Sequence, residues 1–311
     1  MKNIEFVAPN KSASDGETRR FERAKTNALR RDEDNPSESA PPKLADFISG
    51  VEAGKIAFYL GLDIFKNAVD SKGVKLPSSS DEIILALNDS RAMSPRLMLE
   101  YSRAAMAIEQ RKGRKALETL FANIYKNGFE PLDIHKKIAR LNPRVIVDTN
   151  RDAALQTALK DDFTLVYGVA RIAGDQPRFE AFTKSAEGYK KIAPDEVAMD
   201  KPLLFKPLGV LEPRLSLILS DADFVDWLTE AIAGMAAPSA FKQSRSNIKW
   251  LFMGCNFERD TDRMVASEII GGENCGGGWH ITEKPPSRAE RRFLQRHNIE
   301  LINVDLKAFV S

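Results

Sequence analysis

Asp148-Thr149-Asn150-Arg151-Asp152 concentrates carboxylates and an amide directly behind the apolar run Val145-Ile146-Val147 and ahead of Ala153-Ala154-Leu155-Gln156-Thr157-Ala158-Leu159. The pattern reads as strand, polar turn and helix: a β-branched run stops at polar residues, and an amphipathic segment opens behind an Asp able to cap it. Open α/β sheets deliver side chains in this way to the crevice at their strand ends, where ligands bind. The plainer role for Asp152 is that of a helix cap, which many strand-to-helix junctions carry with no further function.

The design recurs further along. Between Asn247 and Asp262 a buried-strand composition, Trp250-Leu251-Phe252-Met253, ends in Gly254-Cys255-Asn256. Gly254 suits a close approach of backbone or ligand, and Asp260 or Thr261 suits a cap for the helix through Arg263-Met264-Val265. Two more segments belong with these. One is Lys55-Ile56-Ala57-Phe58-Tyr59-Leu60-Gly61-Leu62-Asp63; the other is Leu203-Leu204-Phe205-Lys206-Pro207-Leu208-Gly209, followed by Leu215 to Ser220 and the helix opening Asp221-Ala222-Asp223-Phe224-Val225-Asp226-Trp227.

Strand patterns separated by helical ones predict an α/β fold. Periodic structure begins at Lys43, where Leu44, Phe47, Ile48 and Val51 form a helical stripe. Residues 69–140 are helical by pattern, around Ile83 to Leu87, from Pro95 to Arg111 and from Arg114 to Tyr125, so a helical insertion separates the first strand from the second. Gln176 to Met199 reads as a polar crossover anchored by Phe179, Phe182 and Tyr189. Residues 1–43 read as a flexible tail, because Lys11 to Pro42 is rich in Ser, Asp, Glu, Arg and Pro and holds too little apolar surface to fold alone. The folded domain is then 44–311.

In their order and spacing the four segments resemble the sirtuin-like family, and within it a divergent bacterial branch of NAD-consuming proteins more than the protein deacetylases. In that family a first strand ends in a Gly-Ala-Gly-x-Ser phosphate loop, a middle strand in Thr-Asn-x-Asp, a third carries Leu-His-Gly before a hydrophobic hairpin, and a late strand ends in Gly-x-Ser. Thr149-Asn150-Arg151-Asp152 is similar to the second motif, Gly61 to the first, Leu208-Gly209 stands at the third and Gly254-Cys255-Asn256 at the last. His280-Ile281-Thr282, Pro285 to Glu290 and Asn298 to Ile302 resemble the branch's closing strand, helix and strand. The resemblance implies a Rossmann-like, largely parallel sheet flanked by helices, with a helical module over the nucleotide site. It also implies NAD as cofactor, bound by Gly61, Asn150, Asp152, Gly254 and Asn256.

Several departures fall where the chemistry would be. Leu208 occupies the position of the family's catalytic His and can neither accept nor donate a proton. Asp63 stands where a phosphate-facing Gly is expected, and a carboxylate beside a pyrophosphate repels it. Phe65 stands at the Ser of the same loop. Asn256 in place of Ser keeps the capacity to bond a ribose hydroxyl.

Lys and Arg number 46 against 44 Asp and Glu, a net charge of +2 that points to neither a nucleic-acid nor a membrane partner. No apolar run approaches the roughly 18 residues of a transmembrane helix. Two cysteines, Cys255 and Cys275, and no secretory signal indicate the reducing cytoplasm. His135, His280 and His297 are scattered and neither cysteine has a partner at metal spacing, so no metal site is expected. His135 reads as a packed or surface residue rather than a replacement base, and His280 as part of a strand start. Cys255 could line a pocket but has no base to activate it. Gly271 to Gly278 reads as a loose connection.

Three functions follow. The first is a degenerate nucleotide-binding domain that holds NAD weakly or not at all and serves as a structural or regulatory module for a protein partner or a second copy. The second is an active NAD hydrolase of a bacterial defence type, with Asn150 and Asp152 as catalytic residues holding the ribose while water attacks. The third is a binder of another nucleotide-like molecule. Leu208, Asp63 and Phe65 favour the first; Asn150, Asp152, Gly61 and Gly254 keep the second open. No Cys quartet for zinc is present, which makes a deacetylase the least expected.

Overall fold

A computed structural model describes residues 44–271 and 275–306. The tail expected over 1–43 lies outside the described residues, as does the centre of the glycine-rich connection after Gly271.

Strands β1 (Ile56–Leu60), β2 (Val145–Asp148), β3 (Phe163–Gly168) and β6 (Leu203–Lys206) are buried along their whole length. That is why they read as continuous apolar runs rather than alternating ones: both faces of a parallel sheet are covered. With β4 (Phe179–Ser185), β5 (Gly188–Ile192), β9 (Lys249–Met253), β10 (Gly278–Ile281) and β11 (Ile299–Ile302) they form a nine-stranded sheet in the order β11-β10-β9-β1-β2-β6-β3-β4-β5. All pairings are parallel except β3 with β4 and β4 with β5. The sheet is Rossmann-like and flanked by helices. The supposed crossover from Gln176 to Met199 instead contains the β4–β5 hairpin, which extends the sheet. Its exposed face has the alternation of an outer antiparallel strand, and Phe182 stacks on Tyr167 at 5.7 Å.

From β1 the chain adds β2, β6 and β3 on one side; β9, β10 and β11 lie on the other. The strand order therefore reverses between β1 and β9, and a crevice at the carboxyl ends of the strands is expected there.

α1 (Leu44–Glu52) lies on β1. Between β1 and β2 run α2 (Ser80–Leu87), α3 (Pro95–Met98), α4 (Tyr101–Lys112), α5 (Arg114–Ile124) and α6 (Asp133–Leu141). After β2 come α7 (Ala154–Leu159), a two-strand hairpin of β7 (Gly209–Val210) and β8 (Ser216–Leu217), α8 (Asp221–Ile232), α9 (Ser239–Ser244), α10 (Asp260–Ile270) and α11 (Arg288–Arg296). An ion cluster clamps α4 and α5 onto α8. Arg114 meets the buried Asp223 at 2.5 Å, and Arg171 bridges Glu109 at 2.5 Å and Asp223 at 2.7 Å. No described helix is long and apolar enough to cross a membrane.

Candidate functional site

The strands β1, β2, β6 and β9 end at one level, and the loops leaving them build the site. After β1, the Gly61 amide donates to the Met253 carbonyl at 2.9 Å and the Asp63 amide to the Gly254 carbonyl at 2.8 Å. A Cβ on Gly61 would lie 2.4 Å from the Gly254 oxygen; Gly254 has φ +63°, and its Cβ would lie 2.4 Å from Ile64 Cγ2. The two glycines therefore serve each other. They let one short helical turn, Leu62 to Phe65, sit flush on the end of β9. This seating engages the Asp63 amide, which a phosphate would otherwise use. Phe65 points away from the crevice, wholly buried against Phe129 at 5.5 Å and His135 at 6.1 Å between ring centres.

After β2, Thr149 donates through its amide and its hydroxyl to the Leu60 carbonyl at 3.0 and 2.8 Å. The Asn150 amide nitrogen donates to the Gly61 carbonyl at 3.2 Å and to Asp148 Oδ1 at 2.9 Å, which engages both of its hydrogens. Its carbonyl oxygen is the group left for a ligand. Arg151 turns inward, donating to the Leu208 carbonyl at 3.2 Å and the Ile218 carbonyl at 2.7 Å beneath the rings of Tyr101 and Phe121, each 5.5 Å away.

Asp148 Oδ2 and Lys206 Nζ lie 2.5 Å apart with side chains 1% and 0% exposed, a fully buried ion pair joining the ends of β2 and β6. Asp152 lies in the same buried layer. Its Oδ1 accepts from the Ala154 amide at 2.8 Å two residues on, while the cap position of α7 falls to Ala153 rather than to Asp152 as expected; the Asp152 Oδ2 is buried with no partner. Burial pushes the Asp152 carboxyl above its ordinary range, Lys206 pulls it down and Asp148 pushes it up. His135 is buried nearby, lowered by that burial, with Nδ1 accepting from the Leu132 amide at 3.1 Å.

After β9, Asn256 Oδ1 accepts from the Glu258 amide at 3.0 Å, closing the turn into α10. Asp260 and Thr261 do not cap that helix. Glu100, at the start of α4, accepts from the Asp260 amide at 3.2 Å and the Thr261 hydroxyl at 2.5 Å. Asp262 faces the crevice, and burial pushes its carboxyl up to about 7; Glu100 adds to the rise while Arg259 and Arg151 oppose it. Cys255 borders the crevice with its thiol raised well above its ordinary value by burial and then by Asp262. A thiol so raised is a poor nucleophile.

These groups enclose a cavity of about 160 Å³ bordered by Tyr59, Gly61, Tyr101, Asn150, Leu208, Gly254, Asn256 and Asp262. A second, of about 650 Å³, lies past Gly254 between Lys66, Arg140, Thr282, Glu283 and Asp305; Asp63, Gly254 and Cys255 border both. The structure thus gathers Gly61, Asn150, Gly254 and Asn256 at one cavity and leaves Asp152 beneath its floor. Phe65 borders neither cavity. His280 is buried in β10, its Nε2 3.3 Å from the Cys255 carbonyl and its pKa lowered to about 4 by burial. Among the described residues no group of His, Cys, Asp and Glu is placed to hold a metal ion.

Sequence reasoning missed Tyr101, Asp262 and the Asp148–Lys206 pair. A lysine inside the apolar run Leu203-Leu204-Phe205 was the one available signal, since a buried charge needs a partner.

A parallel α/β sheet with its cavity at the carboxyl ends of the strands, beside the point where strand order reverses, is the class of fold that binds nucleotides. Within that class, the family model of the SIR2-like domain matches residues 144–302, half of the chain, and the chain belongs to this sirtuin-like family. The match runs from β2 to β11, so β1 and the helices before β2 lie outside it. The family is associated with NAD. No curated protein matches the chain.

Proposed function

We propose that the chain, over residues 44–311, is a SIR2-like domain that has lost NAD hydrolysis and works as a structural or regulatory module. Leu208 carries this reading. It borders the cavity beside Asn150, 7% exposed, at the position where the family's motif has its His, and no described histidine borders that cavity. An aliphatic side chain there removes the proton acceptor that would activate an attacking oxygen.

A whole NAD molecule does not fit within this cavity alone and would have to extend past Gly254 into the 650 Å³ cavity that shares its Asp63 and Cys255 wall. An engineered cavity of about 150 Å³ holds one benzene, whereas pockets for larger ligands span about 300–1,000 Å³. The Asp63 amide is engaged by Gly254, and the Asp63 carboxylate stands where pyrophosphate would approach. Asp152 is sealed below. A module without chemistry acts through a partner, and we assign that role to a protein or a second copy of the chain in the cytoplasm. Val225 and Ile232, 65% and 72% exposed on α8, offer apolar contacts.

Purified protein incubated with NAD tests the reading. Nicotinamide release should fall at least a hundredfold below that of a competent hydrolase, the usual effect of losing a general base. Turnover at a competent rate, abolished by Asn150→Ala, would establish the hydrolase instead. The observation that favours that alternative is Asn150 itself, held rigidly with its carbonyl free at the cavity.

A further inference from the structure

Three side chains on the wall of the 160 Å³ cavity carry polar atoms with nothing to bond. Asn150 is 3% exposed; Gly61 and Asp148 engage both of its amide hydrogens, so its carbonyl oxygen is left over. Tyr59, at the end of β1, is also 3% exposed, and its hydroxyl has no partner among the described residues; burial, then Cys255 and Asp262 beside it, raise its phenol well above the ordinary value. Asp262 is the third. Arginines stand around its carboxyl, yet Arg151 bonds the carbonyls of Leu208 and Ile218, Arg259 bonds Asp81 and the Met98 carbonyl, and Arg263 bonds Asp260 and the carbonyls of Phe257 and Glu258. Buried polar groups left unpaired are destabilising, which points to a ligand that completes them.

All three groups accept hydrogen bonds, so the ligand is rich in donors. Charge gives its sign. Five carboxylates border the cavity, Asp63, Asp81, Glu100, Glu258 and Asp262, against Arg151, Arg259 and Lys284. Arg259 and Asp81 neutralise each other at 2.6 Å and Arg151 is committed to backbone carbonyls, while Lys284 lessens the acidic surplus without reversing it. The field therefore favours a cation. A guanidinium fits best: it presents a planar fork of five N–H donors, meets a carboxylate with two parallel bonds and sheds water more readily than an ammonium. Two donors would meet Asp262 and leave others for Asn150 and Tyr59. The volume, close to the roughly 150 Å³ that holds a benzene, takes one planar head group. Leu208 and Phe224 supply apolar wall for an aliphatic stem. Leu99, exposed beside Glu100, adds apolar contact for the chain that carries it.

We infer that this cavity receives an arginine side chain of the partner protein, its guanidinium held by Asp262, the Asn150 carbonyl and the Tyr59 hydroxyl. The inference rests on the non-catalytic reading of the same cavity and names what the partner presents to it. The raised carboxyl of Asp262 agrees: burial and Glu100 hold a proton there, and an arriving guanidinium would displace it.

Calorimetry on the full chain tests the assignment with N-acetyl-arginine amide as probe, beside the lysine amide and the uncharged citrulline amide. The arginine probe should bind, and both comparators about tenfold or more weakly, because one lacks the fork and the other the charge. Facing Asp262 are Glu100 from α4, Arg151 from the loop after β2, Arg259 and Arg263 on its own flanks, and Tyr59 and Cys255 from strand ends. As Asp262 gives up its proton near 7, affinity should rise about tenfold from pH 6 to pH 8. Asp262→Asn should lose about tenfold or more in affinity, and the pH dependence with it, in a protein that still melts cooperatively. Tyr59→Phe should weaken binding less, and Lys284→Ala not at all. No heat with millimolar arginine probe, equal affinity for citrulline or lysine, or unchanged affinity in folded Asp262→Asn would each overturn the inference. Binding of inorganic phosphate that is lost in Lys284→Ala would do the same, by showing an anion site. Nicotinamide release from NAD is a separate readout: it sinks the non-catalytic reading without touching arginine binding, and a failure with the arginine probe leaves that reading standing.

Discussion

Lys206→Met isolates what the buried ion pair does for the site. The substitution keeps the length and apolar stem of the side chain but removes the ammonium 2.5 Å from Asp148 Oδ2. Asp148 keeps two bonds from Asn150, its backbone amide at 3.0 Å and its side chain at 2.9 Å, both on Oδ1. Oδ2 would be left as a buried carboxylate oxygen with no cation, and breaking a fully buried pair from one side costs about 3–5 kcal/mol. For a domain of this size that lowers the melting temperature by roughly 6–20 °C. Asp148→Asn, which strands the ammonium instead, should lose a similar amount. Together the two changes should lose clearly less than the sum of the single losses, because neither charge is then uncompensated. Urea unfolding of the four proteins completes the cycle. A Lys206→Met protein within about 1 kcal/mol of the parent would refute the argument, since a fully desolvated partner cannot be lost so cheaply.

Gly254→Ala should destabilise by about 2 kcal/mol or more, because its Cβ would sit 2.4 Å from Ile64 Cγ2 at φ +63°; an unchanged urea midpoint would show that the turn after β1 shifts freely. Phe65→Ser should not open a phosphate loop but should cost about 3–5 kcal/mol, the usual effect of emptying a buried aromatic site; a fully stable variant with gained NAD affinity would contradict the packing described. Asp262 gives a pH signature. Its carboxyl ionises near 3.8 when unfolded and about 7 when folded, so the native state binds the extra proton between those values and the stability contributed falls as pH rises through the window. His280, lowered to about 4, acts in the opposite sense up to its unfolded value of about 6.5, so the test compares parent with Asp262→Asn. The variant should gain relative to the parent between pH 5 and pH 8, and parallel stability curves would exclude the raised carboxyl.

Strand identity was legible because parallel strands buried on both faces leave runs such as Ile56 to Leu60 and Leu203 to Phe205 that no solvated element would carry. Gly61, Asn150, Gly254 and Asn256 were legible as a set because each follows such a run, and strand ends at a reversal of order are neighbours in space. The β4–β5 hairpin was not legible: its outer face is polar, and Lys190 and Lys191 hide a period of two. The resemblance put Asp152 at the cofactor and Phe65 at a phosphate-loop position, yet a motif match does not say whether a side chain leaves a strand end upward or downward, and both go down. Tyr101 carried no signal at all, since a tyrosine on an amphipathic helix looks like core until its hydroxyl proves to be alone.

Glu100 joins the two halves of the site in a way that bears on motion. The first turn of α10 receives its cap from α4, not from its own flank, and Asp262 and Met264 ride on that turn. Order in the turn is therefore conditional on the docking of the helices that precede β2. Amide exchange at Asp260 to Arg263 should then speed up whenever the Arg114–Asp223 clamp is weakened, 109 residues apart in sequence though its members are. Whatever binds the exposed face of α8 or α10 would in that case be felt at the cavity through Glu100 and through Arg259, which holds Asp81 and the Met98 carbonyl from the residue before α10.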